Sequence, residues 1–125
     1  MARKECYVLP QAADRPFSSA VRAGDFIFVS GSGGYVDAQG NPVQGIEAQT
    51  RRCLENQKRA LELAGGSLSD VVKVQVFLAK AEDWPRMNEV YKEFFPEDRP
   101  ARTAVLTQLI REDMLVEMES IAYKP

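Results

Sequence analysis

Residues 115 to 122, Leu-Val-Glu-Met-Glu-Ser-Ile-Ala, constrain the fold of this chain more than any other stretch. Strand alternation puts Leu115, Glu117, Glu119 and Ile121 on one face and Val116, Met118, Ser120 and Ala122 on the other. Two acids on one face ask for an explanation. The plain one is a wet glutamate face, which antiparallel sheets tolerate because only their other face is packed. The sharper one is that a carboxylate from this strand reaches into a cleft. Just upstream, Arg99-Pro-Ala-Arg-Thr-Ala-Val105 opens another apolar run and carries Arg102 near its start.

The remaining elements follow from pattern. Residues 5 to 8 read as a short strand closed by Pro10, and Ser18 to Arg22 as a second, with Ala23-Gly24-Asp25 as a tight turn. Phe26 to Val29 is aromatic and β-branched, hence a third strand. Ser30-Gly-Ser-Gly-Gly34 reads as a loop, followed by a strand-like Tyr35-Val36 and a turn at residues 37 to 41. A phosphate-cradling loop needs a helix directly behind it, and none follows here. The loop therefore reads as a plain bend or as backbone exposed to a small ligand.

Gly45 to Ala64 is the strongest helix. Ile46, Thr50, Cys53, Leu54, Gln57, Ala60, Leu61 and Ala64 recur at helical spacing, and Gly65-Gly66 stops the run. Its other face mixes Arg51, Arg52, Lys58 and Arg59 with Glu47, Glu55 and Glu62, the pattern of a solvated surface. Ser69-Asp70 opens a half-buried strand, Val71 to Ala79, with Val72, Val74, Val76 and Leu78 on one face. Glu82 to Phe95 is a second helix, Asp83 its candidate N-cap and Pro85 in its first turn. Trp84, Met87, Val90, Tyr91 and Phe94 form its core stripe, beside the polar Asn88. Strands grouped around two helices indicate an α+β fold with the helices on one face.

Composition narrows the chemistry. A chain of 125 residues suits one domain, spanning residues 1 to 125, that buries roughly two thirds of its unfolded surface. A net charge of −2 disfavours a protein built around nucleic-acid phosphates. No apolar run approaches a membrane span. The first residues lack the apolar core of a secretory signal. Cys6 and Cys53 have neither metal spacing nor a disulfide framework, which suits free thiols in a reducing cytoplasm. The chain contains no histidine. Serine–histidine and cysteine–histidine nucleophile pairs and histidine-held zinc are thereby excluded. Carboxylates, arginine, hydroxyls and backbone groups remain.

Pro100-Ala-Arg-Thr103 and Val116-Glu-Met-Glu119, with Val29-Ser-Gly31 upstream, resemble the Rid family (RidA/YjgF), the reactive-intermediate deaminases. The resemblance covers nearly the whole chain. It implies a chorismate-mutase-like α+β fold in a single Rid-type domain, a homotrimer with ligand clefts between subunits, and no cofactor. It also implies hydrolysis of enamines and imines of the 2-aminoacrylate class to 2-keto acids and ammonia. The family's substrate-binding arginine falls on Arg102 and its water-positioning glutamate on Glu117. Its strand-end serine and glycine fall on Ser30 and Gly31, and its cleft asparagine on Asn88. Two positions depart: Phe17 stands where many deaminases carry tyrosine, and Ala104 where they carry cysteine.

The residue chemistry agrees. A 2-imino acid has a carboxylate that a guanidinium fork can bind in the plane. Water must then reach the C=N carbon, and a carboxylate can orient it and relay protons. Should residues 109 to 113 turn a hairpin, Arg102 pairs near Ser120 and Glu117 near Val105. The two groups then stand on the order of 10 Å apart along the sheet and on opposite faces. A site completed by a neighbouring subunit relieves that separation. Rival readings are a trimeric, non-catalytic binder of small carboxylates and, less in keeping with the acidic balance, an endoribonuclease or translation inhibitor. Spacing alone leaves Glu117 and Glu119 equal; the interval from Arg102 in the resemblance selects Glu117.

Overall fold

The computed structural model describes residues 3 to 125. Six strands form one mixed sheet: β1 (Glu5–Tyr7), β2 (Ala20–Ala23), β3 (Phe26–Gly33), β4 (Val71–Leu78), β5 (Ala101–Leu106) and β6 (Val116–Tyr123). Helix α1 (Ile46–Leu63) joins β3 to β4, and α2 (Trp84–Phe94) joins β4 to β5. The spatial order is β1-β2-β3-β6-β4-β5, with β4 and β5 parallel and every other pair antiparallel. Both helices cover one face, so the α+β architecture expected from the element order is the one observed.

β6 carries the core. Val116, Met118, Ser120 and Ala122 are buried while Glu117, Glu119, Ile121 and Tyr123 face the other way, as the alternation requires. The buried set packs with Ile27, Val29, Val74, Val76 and Leu78 against Leu54 and Leu61 of α1 and Met87 and Tyr91 of α2. Full burial of a side chain of that size contributes about 1.5–3 kcal/mol. α1 ends where the glycines demand: Gly65 takes φ +90°, its N–H bonds to Glu62 O, and Gly66 N–H bonds to Leu61 O. That is a Schellman stop, which a residue with a Cβ adopts poorly.

Four local expectations are corrected. The last two strands form no hairpin; β5 runs parallel to β4 at the sheet edge, and β6 inserts between β3 and β4. A parallel pair needs a crossover, and α2 supplies it, so chain adjacency of β5 and β6 does not decide their pairing. The stretch 30 to 34 is no free loop: β3 runs on through Gly33, with a register shift against β6 between Val29 and Ser32. Tyr35-Val36 forms no strand; a single bridge links Val36 to Pro42. A second bulge between Val71 and Lys73 turns Val71 inward and leaves Val72 exposed at 45%, out of line with Val74 and Val76.

Around α2 the outcome is mixed. Residues 81 to 83 form a 3₁₀ turn before the helix. Asp83 occupies the N-cap position but makes no capping bond, and Pro85 lies in the first turn. Trp84 is 44% exposed, since the first turn of α2 overhangs the edge strand β5.

The junction between β3 and α1 depends on a missing side chain. A Cβ at Gly34 would collide with the Gln49 carbonyl oxygen and lie 2.8 Å from the Cys53 nitrogen. Backbone atoms of a helix cannot yield, so Gly34→Ala should destabilise the fold by about 3 kcal/mol or more. Gly24→Ala meets nothing within 4 Å but must hold φ at +61°, which costs about 1–2 kcal/mol. Urea midpoints of the two variants should therefore differ clearly; equal midpoints would mean the helix shifts to make room.

Candidate functional site

The seven residues singled out from the sequence fall into two groups. Phe17, Ser30, Gly31 and Glu117 line one open cleft of about 820 Å³, together with Tyr35, Arg111 and Met114. Glu117 stands on β6 opposite Gly33 of β3 and Phe77 of β4, on the sheet face away from the helices. Its carboxylate presses on the backbone of β3, because a Cβ at Gly31 would collide with Oε2. A side chain at residue 31 would have to displace that carboxylate. Burial, and then the charge of Glu119 two residues on, push the Glu117 carboxyl above the ordinary glutamate range. Among the described residues no cation pairs with it.

The neighbours of Glu117 are held by backbone contacts. Ser30 Oγ donates to Ser18 O at 2.7 Å, and its N–H donates to Ser19 O at 3.0 Å. The hydroxyl proton is thus engaged, while its lone pairs still face the cleft region. Phe17 is 48% exposed and supplies an apolar wall. Cys53, the buried thiol behind β3, is pushed up to about 12 by burial. It is a protonated core group and no nucleophile.

Arg102, Asn88 and Ala104 form the second group. Arg102 pairs with Val74 and Ala104 with Val76, so both share the helix-side face of β5. The Arg102 guanidinium lies 4.6 Å from the centre of the Tyr91 ring and 5.1 Å from that of Trp84. Stacking of this kind orients the planar fork without consuming its N–H donors. No carboxylate pairs with it among the described residues. Trp84, Asn88 and Tyr91 recur at four and three residues on α2 and so share a stripe. Asn88 Oδ1 and Tyr91 Oη are both buried without a hydrogen-bond partner. Burial raises the Tyr91 phenol above its usual range, against the opposing pull of Arg102 and Arg99. Trp84 and Tyr91 read from sequence as core; their role as a platform under Arg102 has no sequence signal beyond their place on one stripe.

The two groups do not meet within one chain. Arg102 and Glu117 flank β4 at Val74 and Phe77, three residues apart along that strand and on opposite faces. Across two strand spacings and about 10 Å of strand, their backbones stand about 14 Å apart. The hairpin expected from sequence is absent, yet the opposite-face placement it suggested is present. A small imino acid cannot span that gap through a sheet. Among the described residues no group of three or more His, Cys, Asp or Glu is arranged to hold a metal ion.

The raised Glu117 carboxyl has a consequence for stability. A carboxyl held high in the folded state binds its proton more tightly there than in the unfolded chain. Folding is therefore penalised above both pKa values, and the penalty disappears as pH falls below the unfolded value. Glu117→Gln should melt at a higher temperature than wild type at pH 7, with the gain fading by about pH 4. Melting curves at the two pH values test it. A gain independent of pH would place its origin outside the carboxylate.

Comparison with known proteins identifies the family. The family model described as Endoribonuclease L-PSP matches residues 9–124. A RutC family protein of Pyrococcus abyssi is 50% identical over 110 residues, covering 87% of each chain. The 3-aminoacrylate deaminase RutC of Acinetobacter baylyi is 41% identical over 111 residues, covering 86% of each. The crystal structure of Escherichia coli TdcF with bound serine superposes with a TM-score of 0.87 at 30% identity, over 97% of this chain and 100% of that one. The chain belongs to the L-PSP endoribonuclease family, the YjgF/Rid family that its arginine and glutamate motifs resemble.

Proposed function

We propose that this protein is a homotrimeric, cofactor-free hydrolase that deaminates 2-enamine and 2-imine acids of the 2-aminoacrylate class to 2-keto acids and ammonia. The observation that carries the reading is the half-buried Arg102 fork, stacked on Trp84 and Tyr91 with no carboxylate paired to it among the described residues. Such a group is prepared for a planar carboxylate supplied by a ligand. The A. baylyi relative is named for a substrate that also joins a carboxylate to an enamine, and TdcF was solved with an amino acid bound.

In this reading one subunit contributes Arg102, Asn88 and Ala104, and its neighbour contributes Glu117, Gly31, Ser30 and Phe17. The 14 Å separation within a chain is what calls for the second subunit. Phe26, Phe28 and Tyr123 stand half-exposed on the open face of the sheet, with Val105 beyond them. An apolar face of this kind favours covering by another copy. Arg102 fixes the substrate carboxylate. Glu117 takes a proton from water as it adds to the carbon of the protonated imine, passes that proton to the nitrogen, and takes the hydroxyl proton as the carbinolamine collapses to keto acid and ammonia. A carboxyl held above the ordinary glutamate range by burial takes a proton more readily than a solvated one, which suits these steps. Phe17 and Ala104 offer the substrate apolar surface in place of a phenol and a thiol.

The same clefts without turnover would make a carboxylate binder, for which Phe17 and Ala104 are the supporting features. The family description names an endoribonuclease, but a chain of net charge −2 without histidine offers little for RNA cleavage. A coupled assay decides among the three. An amino-acid oxidase or dehydratase generates the imino acid, and loss of its signal with release of keto acid reports hydrolysis. Binding without turnover, or RNA cleavage instead, would displace the deaminase.

The division between subunits gives a sharper test. Arg102→Lys and Glu117→Gln should each fold and lose turnover by roughly 10²-fold, since a point charge replaces a fork in one and a non-basic amide the carboxylate in the other. Glu119→Gln should change the rate only a few-fold. Unfolding and refolding Arg102→Lys and Glu117→Gln together should restore about a quarter of wild-type activity, because mixed trimers contain intact interfaces. No recovery in trimers shown to be mixed by mass would place both residues in one subunit's site. A monomer by light scattering would remove the shared cleft altogether.

A further inference from the structure

Gln57 is an unusual member of the buried stripe of α1. It is 2% exposed, at a position that an aliphatic residue would fill without desolvating an amide. Its bonds explain it. Nε2 has two N–H groups and three acceptors in reach, Ser30 O at 3.0 Å, Ser32 Oγ at 2.8 Å and Met118 O at 3.0 Å, so one hydrogen is shared between two of them. Oε1 accepts from Ser120 Oγ at 2.6 Å. One side chain is therefore tied to both strands of the β3–β6 pair, at the place where their register shifts.

Cys53 lies one turn before Gln57 on the same stripe, and Asn56 flanks that stripe three residues after Cys53. The Cys53 thiol donates to Ser32 O at 2.9 Å, and Asn56 Nδ2 donates to Gly33 O at 2.9 Å. A bulge takes carbonyls out of the strand ladder, and buried carbonyls need partners. Here α1 supplies them at Ser30, Ser32 and Gly33. The peptide joining Ser30 to Gly31 is trans, so its N–H is antiparallel to its C=O. With Ser30 O drawn toward α1, the Gly31 N–H is turned to the opposite side of the sheet. That is the side on which the Glu117 carboxylate packs against Gly31.

We propose that Gln57 is a positioning residue for the cleft: it clamps β3 to β6 at the bulge and holds the Ser30–Gly31 peptide against the Glu117 carboxylate. It touches no substrate. Its effect on chemistry passes through the geometry of Gly31 and Glu117, and for that consequence alone it rests on the function proposed above.

The test uses the full-length protein and two readouts that need no turnover. Gln57→Met keeps length and volume but has no amide. With far-ultraviolet circular dichroism unchanged, amide exchange at Gly31 and Ser32 should quicken by about tenfold or more. The Glu117 carboxyl, followed by ¹³C NMR, should titrate closer to an ordinary glutamate as water gains access. In the imine assay kcat should fall about 10–100-fold with KM within a few-fold. Ser120→Ala removes one of the four bonds and should move every readout in the same direction by less. If Gln57→Met does not fold, Ser120→Ala and Ser32→Ala decide on the same two signals. A lower melting temperature with unchanged Gly31 exchange and unchanged Glu117 titration would make Gln57 a structural residue only and overturn the proposal. Failure of the wild type to hydrolyse any imine would sink the deaminase reading and leave the clamp to be judged by exchange and titration.

Discussion

The insertion of β6 between β3 and β4 is the constraint on which the rest of this structure depends. A strand paired on both sides has all its ladder groups satisfied, and its alternate residues can then be assigned wholly to opposite environments. Val116, Met118 and Ala122 take the dry side under the helices. Glu117 and Glu119 take the other. Without that central placement, Glu117 would have no β3 backbone to press on.

The same insertion separates the two halves of the candidate site. Placing β6 and β5 on opposite sides of β4 leaves Arg102 on the helix side of the sheet edge and Glu117 on the open side near its centre. Each half is incomplete in a characteristic way. Among the described residues, Arg102 is stacked and oriented without a paired carboxylate, and Glu117 is crowded and raised without a paired cation. Unpaired charges of opposite sign, held apart by a sheet in one chain, are compatible with a cleft built from two copies and with a small anionic ligand that joins them.

Polar groups in the core serve this arrangement and not stability alone. Gln57 and Ser120 are buried among aliphatic side chains, where an unpaired amide would cost about 1–3 kcal/mol. Four hydrogen bonds offset that cost and at the same time fix the bulge. Glu117 is the opposite case, a carboxyl placed where burial and a like charge work against ionisation. Strain of this kind is tolerated where a group has work to do in one protonation state and then the other.

Sequence by itself determined the local rules. The helical spacing from Ile46 to Ala64, the glycine stop, the two-residue alternation of β6 and the absence of histidine were all legible, because each depends on residues close together in the chain. The motifs around Arg102 and Glu117 also indicated the family. Tertiary structure decided what local rules leave open. β5 and β6 are neighbours in sequence and read as a hairpin, yet the crossover through α2 makes β5 pair with β4. The run from Ser30 to Gly33 read as a loop, yet donors from Cys53, Asn56 and Gln57, more than twenty residues away, hold it as a bulged strand. Trp84 and Tyr91 read as core and became the platform for Arg102. In each case the deciding partner lies far along the chain. Pairing and hydrogen-bond satisfaction are settled by which groups the whole fold brings together, a property that no local pattern encodes.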